Sequence, residues 1–419
     1  MSTSAEKIET NPENLWRLET PGEEGWERTA RPGVNLKKKY FMVSCDTHLQ
    51  APPKLFQERI DEKFRHLLPR MEVRDGVRYM VHGESGQADR LVDSDFHGED
   101  LVRSQAGAAF RGDSKAGFGE FASLERRVQD HVRDGVDAEV IFPNGPALLM
   151  FAGRNVGFIE AQCQAWNDWS IEYCRPQLSR CAPAAAIPTI DIDVAIAEVK
   201  RVAKLGFRVL TLPNRPFWGP EDPAHRNYNH AEFDRLWAVI QDHDLPITFH
   251  AATGKDPRAV RGPGGAVINY AVHGCLPVAE PAVMLCASGA IERFAKLRFA
   301  VVEGNAGWLP WILDMMDESY RKHHFWARPK LKELPSTYFH TNGAATVTED
   351  RSALLLVEPY GLEGNILWAN DYPHHEGTWP HSAQAIEREF GHLREDTRAR
   401  ILGLNAARLF GFEIPPELR

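Results

Sequence analysis

Apolar and polar positions follow two different periods along this chain. Short, nearly continuous apolar runs recur, each ending in polar residues. They are KYFMVSCDTHLQ, AEVIFPN (138–144), CAPAAAIP (181–188), FRVLTLPN (207–214), PITFHAATG (246–254), LRFAVVEGN (297–305), STYFHTN (336–342) and NILWANDYPHHEGTWP (365–380). Runs of this kind predict strands covered on both faces. Between them lie stretches with a helical repeat. In FASLERRVQDHVRDGVD, residues Leu124, Val128, Val132 and Val136 recur at a spacing of four, which predicts a helix. DIDVAIAEVKRVAKLG opens on an acidic turn and stops at Gly206, the expected start and stop chemistry. Residues 156–178, HAEFDRLWAVIQDHD, the run from Val267 to Ala295 (despite Pro277 and Pro281), WLPWILDMMDESYRKHH and AQAIEREF are read as helical too.

Eight strands alternating with helices predict an α/β fold with a parallel sheet. Eight such units, with polar residues at the strand ends, favour a closed (β/α)8 TIM-type barrel over a doubly wound sheet. Two segments stand apart. Residues 1–38 form a polar arm rich in Glu, Asn, Pro and Gly, and residues 39–419 the barrel. Residues 50–120 are charged and weakly periodic, a long insertion after strand one of the kind that covers a barrel's mouth.

Composition narrows the partners. The chain has 419 residues, 43% hydrophobic and 26% charged, the balance of an ordinary globular protein with enough apolar material for a large core. With 49 Lys and Arg against 58 Asp and Glu, the net charge is −9. That balance gives no electrostatic reason to expect nucleic acid or an anionic membrane. No transmembrane helix is expected, and MSTSAEKIETNPENLW lacks the basic-then-apolar order of a signal peptide. The six cysteines form no CxxC pair; buried, reduced thiols in a cytoplasmic protein are the expectation.

The strand ends carry metal-ligand chemistry. Strand one ends Cys45-Asp46-Thr47-His48, and alternation along a strand puts Asp46 and His48 on one side. Strand five ends in His250 and strand eight in Asp371. Two carboxylates and two imidazoles suit one divalent ion, Zn²⁺ foremost, with Mn²⁺ or Fe²⁺ as alternatives. In a barrel these strand ends converge on one face.

SCDTHLQAPP, RVQDHVRDGVDAEVIFPN, AWNDWSIEYC, LPITFHA, LRFAVVEGNAGWLPWILDMMD and NILWANDYPH…TWP also carry a likeness. Across about residues 40–385 the chain resembles the amidohydrolase-related family, in the branch that includes aminocarboxymuconate-semialdehyde decarboxylase and aromatic-acid decarboxylases. The resemblance implies a barrel with one divalent metal and a small carboxylated aromatic or unsaturated substrate. Asp46 and His48 match the family's strand-one pair, His250 its strand-five ligand and Asp371 its strand-eight carboxylate. A second register would make His48 the first ligand and Gln50 the second, but an amide is a poor ligand for such a metal. Decarboxylase relatives usually end strand six in a histidine; here Glu303 is the nearest replacement, as acid, base or further ligand.

Further candidates surround this set. His374 and His375 follow Asp371, with His374 the stronger for catalysis. His273, after strand five, and His340, read as the end of strand seven, are candidates for the missing proton donor or for contacting substrate. Arg215, ending strand four, is a candidate for a substrate carboxylate, and Asn305, beside Glu303, is a further candidate for contacting substrate. Trp308, Trp311 and Trp379 are aromatic candidates, the first two read as core or interface. Two reactions share this site: decarboxylation of a small acid, the preferred reading, and hydrolysis of an amide, lactone or imine by metal-activated water with Asp371 as base. A non-catalytic binding barrel is the third reading. A homodimer or larger assembly is expected, with Trp16 and Trp26 of the arm at an interface.

Overall fold

The computed structural model describes residues 40–418 apart from 82, 85, 87, 92–122, 217–225, 254–259, 261–262, 375–376 and 380–381. The polar arm and the end of the insertion therefore lie outside the described residues. Eleven strands are described: β1 (Val43–Leu49), β2 (Arg70–Arg74), β3 (Val77–Val81), β4 (Ala88–Leu91), β5 (Ala138–Pro143), β6 (Cys181–Ala186), β7 (Val209–Leu212), β8 (Ile247–His250), β9 (Phe299–Val302), β10 (Gly343–Val347) and β11 (Ile366–Trp368). Eight of them form one parallel sheet in the order β1-β5-β6-β7-β8-β9-β10-β11. The sheet closes at its upper rim, where Thr47 bridges Tyr372 and the His48 amide donates to the Tyr372 carbonyl at 2.7 Å. This is the (β/α)8 barrel the alternation predicts. Its last seam is made by the strand-one and strand-eight ends that carry the metal-type residues.

The barrel strands are buried along their whole length, which is why they read as apolar runs rather than alternating ones. One core layer lies between sheet and helices, built from residues such as Leu210, Leu212, Phe249, Trp237 and Leu313. A second fills the lumen with Val43, Cys45, Ala184, Val209, Ala300 and Val302, joined by Phe410 and Phe412 of the C-terminal turns. The helices stop and start where the sequence says they should. Asp191 caps Ile192–Leu205 by accepting from the Asp193 and Val194 amides, and Gly206 ends it at φ +92°, a conformation that costs a glycine little.

One expectation changes and two segments gain detail. The run STYFHTN is a helix, Pro335–Asn342, and strand seven is the following GAATV. Thr, Tyr and Phe favour strands intrinsically, but Pro335 at the first helical turn and burial of Tyr338 and Phe339 against the core decide otherwise. The helical stretch Asn269–Ala287 is, by length and apolarity, long enough to cross a membrane. Its second half is a barrel helix with Pro281, Ala282, Leu285 and Cys286 buried, while Val267, Tyr270, Val272 and Leu276 around its first half are exposed. The insertion, weakly periodic in sequence, contains two short helices and the antiparallel sheet β2-β3-β4. All six cysteines are free, and all but Cys275 are buried.

Candidate metal centre

The site begins with an irregularity in β1. Val43 pairs with Ala138 and Ser44 with Glu139, yet Thr47 pairs with Ile141 and His48 with Phe142. Three steps on β1 thus match two on β5, so β1 carries one extra residue, a bulge. Val43, Cys45, Ala138, Val140 and Phe142 all face the lumen. Plain alternation from Cys45 would send Thr47 inward and Asp46 and His48 out among the helices. The bulge reverses that. Thr47 faces outward, its hydroxyl on Glu139 Oε2 at 2.8 Å, and Asp46 and His48 face the lumen.

There they meet three other strand ends. His250 Nε2 lies 3.1 Å from Asp46 Oδ1 and 3.3 Å from Glu303 Oε2. His48 Nε2 lies 3.4 Å from Asp46 Oδ1 and 3.1 Å from Asp371 Oδ1. His374 Nδ1 lies 2.9 Å from the same Asp371 oxygen, and its ring stacks on His48 with centroids 3.9 Å apart. The ligand-type atoms of Asp46, His48, His250 and Glu303 all fall within 4.8 Å of one another, as do those of His48, Asp371 and His374. Each first-rank imidazole is oriented through its far nitrogen: His250 Nδ1 is 2.8 Å from the Ala251 carbonyl and His48 Nδ1 3.3 Å from that of Pro143. Bonds of that kind place the proton on Nδ1 and turn Nε2 to the centre.

The backbone supports the same focus. Ala252, Glu303, Asn305 and Asp371 are non-glycine residues at φ +59°, +61°, +50° and +54°. Such conformations are uncommon and collect where tertiary structure forces a chain into a functional geometry. Gly377 is held against the last of these: a Cβ there would meet the Asn370 carbonyl at 2.2 Å.

Electrostatics fit a cation. Burial pushes the Glu303 carboxyl up to about 7, with the Asp371 and Asp46 charges adding and His250 opposing. Burial also works against ionised Asp46, but His250 and His48 hold it below the usual carboxylate range. Both His48 and His250 resist the lowering effect of burial because carboxylates surround them, and their proton affinity is raised. His48 Nε2 and Asp371 Oδ1 are buried and, among the described residues, make no aligned hydrogen bond although they lie 3.1 Å apart. Buried polar atoms are normally paired. Oxygen and imidazole donors gathered in two groups that share His48, with His48 Nε2 and Asp371 Oδ1 lacking an aligned bond, suit a divalent ion.

The other candidates divide. His374 joins the cluster and also reaches Asn144 Oδ1 at 3.2 Å. Asn305 is exposed beside it, its side-chain oxygen accepting from the Thr348 amide at 3.4 Å. The Arg215 guanidinium forms a two-point pair with Glu280 at 2.9 and 3.0 Å, so its fork already holds a carboxylate of the chain. His273 is half-buried in the segment after β8 and outside the cluster. His340 is a correction: it is exposed on the helix preceding β10, below the barrel rather than at a strand's C-terminal end. Gln50 is exposed, its amide turned to the Ala51 carbonyl, so the second register has no place in the cluster. His375 lies outside the described residues. Trp311 is 61% exposed, and the Trp308 indole donates to the carbonyls of Gly304 and Asn305.

Behind the site lies a group that sequence reasoning passed over: Arg127, Glu139, Thr47, Asn370 and Asp134, all buried. A signal was available. Glu139 stands inside the buried strand AEVIFP, and a buried charge implies a partner. Arg127, on the preceding helix, supplies it at 2.6 Å.

The family model described as Amidohydrolase matches residues 46–412. No curated protein matches the chain. Among solved structures it is similar to an amidohydrolase from Mycobacterium avium subsp. paratuberculosis, with 17% identity, TM-score 0.67, and 91% of this chain and 100% of that one covered. It is similar to 5-carboxyvanillate decarboxylase from Sphingomonas paucimobilis, with 19% identity, TM-score 0.60, and 89% and 100% covered. It is also similar to the Novosphingobium aromaticivorans 5-carboxyvanillate decarboxylase, complexed with manganese and 4-hydroxy-3-methoxy-5-nitrobenzoic acid, with 15% identity, TM-score 0.63, and 92% and 99% covered. At these identities the likeness establishes the shared barrel fold.

Proposed function

The chain belongs to the amidohydrolase family, and from that premise we propose that it is a metal-dependent decarboxylase of a small aromatic or unsaturated carboxylic acid. The observation that carries this reading is the convergence of Asp46, His48, His250, Glu303, Asp371 and His374 at the C-terminal ends of the barrel strands, where barrels place their chemistry. Asp46, His48, His250 and Asp371 would hold the ion; Glu303 lies within 4.8 Å of the first three and His374 within 4.8 Å of His48 and Asp371. The absence of thiolates and the three carboxylates suit Mn²⁺ as well as the Zn²⁺ favoured by the imidazole pair, and manganese accompanies the similar decarboxylase. When bound, the ion supplies positive charge to anchor the anionic oxygens of the substrate.

The chain's own residues do the rest. Asp46 and Asp371 keep the centre anionic and deep, below the exposed rim at Asn305. Glu303 and His374, each with its side chain 17% exposed, are the members of the cluster most open to a substrate, and Glu303 carries the proton in this reading. The carbon–carboxylate bond breaks with its electron pair left on the substrate carbon, CO₂ departs, and the Glu303 carboxyl delivers a proton to that carbon. Water then restores the proton to Glu303. His374, between Asp371 and Asn144, orients the strand-eight carboxylate. A homo-oligomer is supported by exposed Val267, Tyr270, Phe325 and Trp326, and a cytoplasmic location by the free cysteines.

Hydrolysis is the second reading, favoured by the carboxylate of Glu303 where the family resemblance implies a histidine; Asp371 would then take the proton of the attacking water. The deciding experiment loads the protein with Mn²⁺ or Zn²⁺ and follows CO₂ release from hydroxybenzoate-like and muconate-like acids beside hydrolysis of amides and lactones. CO₂ release supports the first reading. Turnover of amides or lactones alone replaces it with the second.

A further inference from the structure

The bulge in β1 decides that Asp46 and His48 face the lumen, and something must hold that bulge. An extra residue in a strand leaves backbone groups out of register with the neighbouring ladder and bends the strand. Inside the irregular segment Ser44 Oγ lies 3.0 Å from the Asp46 carbonyl; on the outer side of β1 a guanidinium grips its C-terminal end. Arg127 Nη1 donates to the His48 carbonyl at 2.7 Å, and Nη2 donates to Thr47 Oγ1 at 2.7 Å. Arg127 is itself anchored by Glu139, through Nε at 2.8 and 3.0 Å and Nη2 at 2.6 Å. Thr47 passes the constraint on, its hydroxyl within 2.9 Å of the Val140 carbonyl and 2.8 Å of Glu139. His131 Nε2 braces the same Glu139 oxygen at 2.8 Å, and the guanidinium lies over the Tyr372 ring at 5.0 Å. Arg127 therefore holds β1 at His48 and Thr47 and lies over Tyr372, which bridges Thr47 where the barrel closes.

We propose that Arg127, anchored by Glu139, is the positioning residue that sets the lumen-facing geometry of Asp46 and His48 and thereby the affinity of the metal centre. A planar fork with fixed donor directions is needed here. A lysine would neutralise Glu139 but has no rigid geometry with which to hold the His48 carbonyl and Thr47 hydroxyl together. Burial of the pair, with Arg127 at 3% and Glu139 at 2% exposure, shields these bonds from water and makes them stiff. The inference rests on the reading of the lumen cluster as a metal centre.

The test is Mn²⁺ binding by the full-length protein, measured by chelator competition and by the electron paramagnetic resonance spectrum of the bound ion. Unfolding of the metal-free protein is measured beside it. In Arg127→Lys and in the charge-neutral pair Arg127→Met with Glu139→Gln, affinity is expected to fall about 10–100-fold, the usual consequence of losing a ligand's support, with an altered spectrum. Arg127→Lys is expected to keep more affinity than the neutral pair. Should either fail to fold, Thr47→Val, which keeps shape and removes the hydroxyl, is expected to weaken Mn²⁺ several-fold with the fold intact. Wild-type affinity and spectrum in the folded variants would overturn the proposal, and so would an affinity loss that merely tracks lost stability. If the wild-type protein binds neither Mn²⁺ nor Zn²⁺, the reading of the centre fails instead, a result readily told apart.

Discussion

The layers on the two sides of β1 both hold buried charge, yet they differ in how those charges are met. On the outer face Glu139 is matched by Arg127 and His131, and Arg127 lowers its proton affinity well below the usual carboxylate range against the pull of burial. On the lumen face, one residue away, Asp46, Glu303 and Asp371 crowd two imidazoles, and His48 Nε2 and Asp371 Oδ1 are left without an aligned bond. Burial alone therefore does not mark a functional site. Isolated unpaired atoms such as His131 Nδ1 occur on the outer face too; what distinguishes the lumen is several carboxylates and imidazoles gathered together with such atoms among them.

The strongest way to break this comparison is to remove a lumen carboxylate or imidazole. Asp371→Ala and His250→Ala are expected to abolish metal retention and reduce turnover by at least about 10³-fold, checked by elemental mass spectrometry and steady-state rates. Full metal content in both would mean the lumen face is as self-sufficient as the outer one. Glu303→Gln separates holding from chemistry. The ion is expected to stay while kcat falls about 10²–10⁴-fold, the range for losing a general acid; unchanged turnover would remove Glu303 from the reaction.

Asp134 sharpens the comparison from the outer side. It is held by hydrogen bonds from Ser382 and Asn370 rather than by a cation, and burial pushes its carboxyl up to about 7, helped by Asp130. The folded state thus holds a proton that the unfolded chain releases near the ordinary carboxylate value of 3.8. The stabilising effect of that proton is present at low pH and is lost as pH rises from about 4 through about 7. Asp134→Asn, which cannot ionise, is expected to remove a loss of about 2 kcal/mol between pH 5 and 6.5, seen in denaturant unfolding of the metal-free protein. An unchanged pH slope would show that Asp134 is ionised in the fold. The smallest effect is expected at Arg215, whose half-exposed pair with Glu280 contributes about 0–1 kcal/mol. Arg215→Ala should leave the unfolding midpoint nearly unmoved, and a raised KM with unchanged kcat would reveal a substrate contact.

Much of this was legible along the chain because it depends on local pattern. Barrel strands covered on both sides must be apolar throughout, so their runs stand out. Helix stops such as Gly206 follow from backbone conformation that few residues adopt. Asp46, His48, His250 and Asp371 were noticeable because polar side chains at the ends of apolar strands have few structural uses. STYFHTN misled for the opposite reason: its residues favour a strand, and only packing of Tyr338 and Phe339 onto the core selects the helix. His340 moved with it to the far side of the barrel.

What only the tertiary structure decided is the facing of β1. Side chains at i and i+2 share a side in any register, so the sequence alone determines that Asp46 and His48 act as a pair. It does not determine which side, because one extra residue inverts the whole assignment. That residue is accommodated through contacts more than seventy positions apart, from Arg127 to His48 and from His48 to Tyr372, and contacts between such distant positions leave no period in the sequence to read.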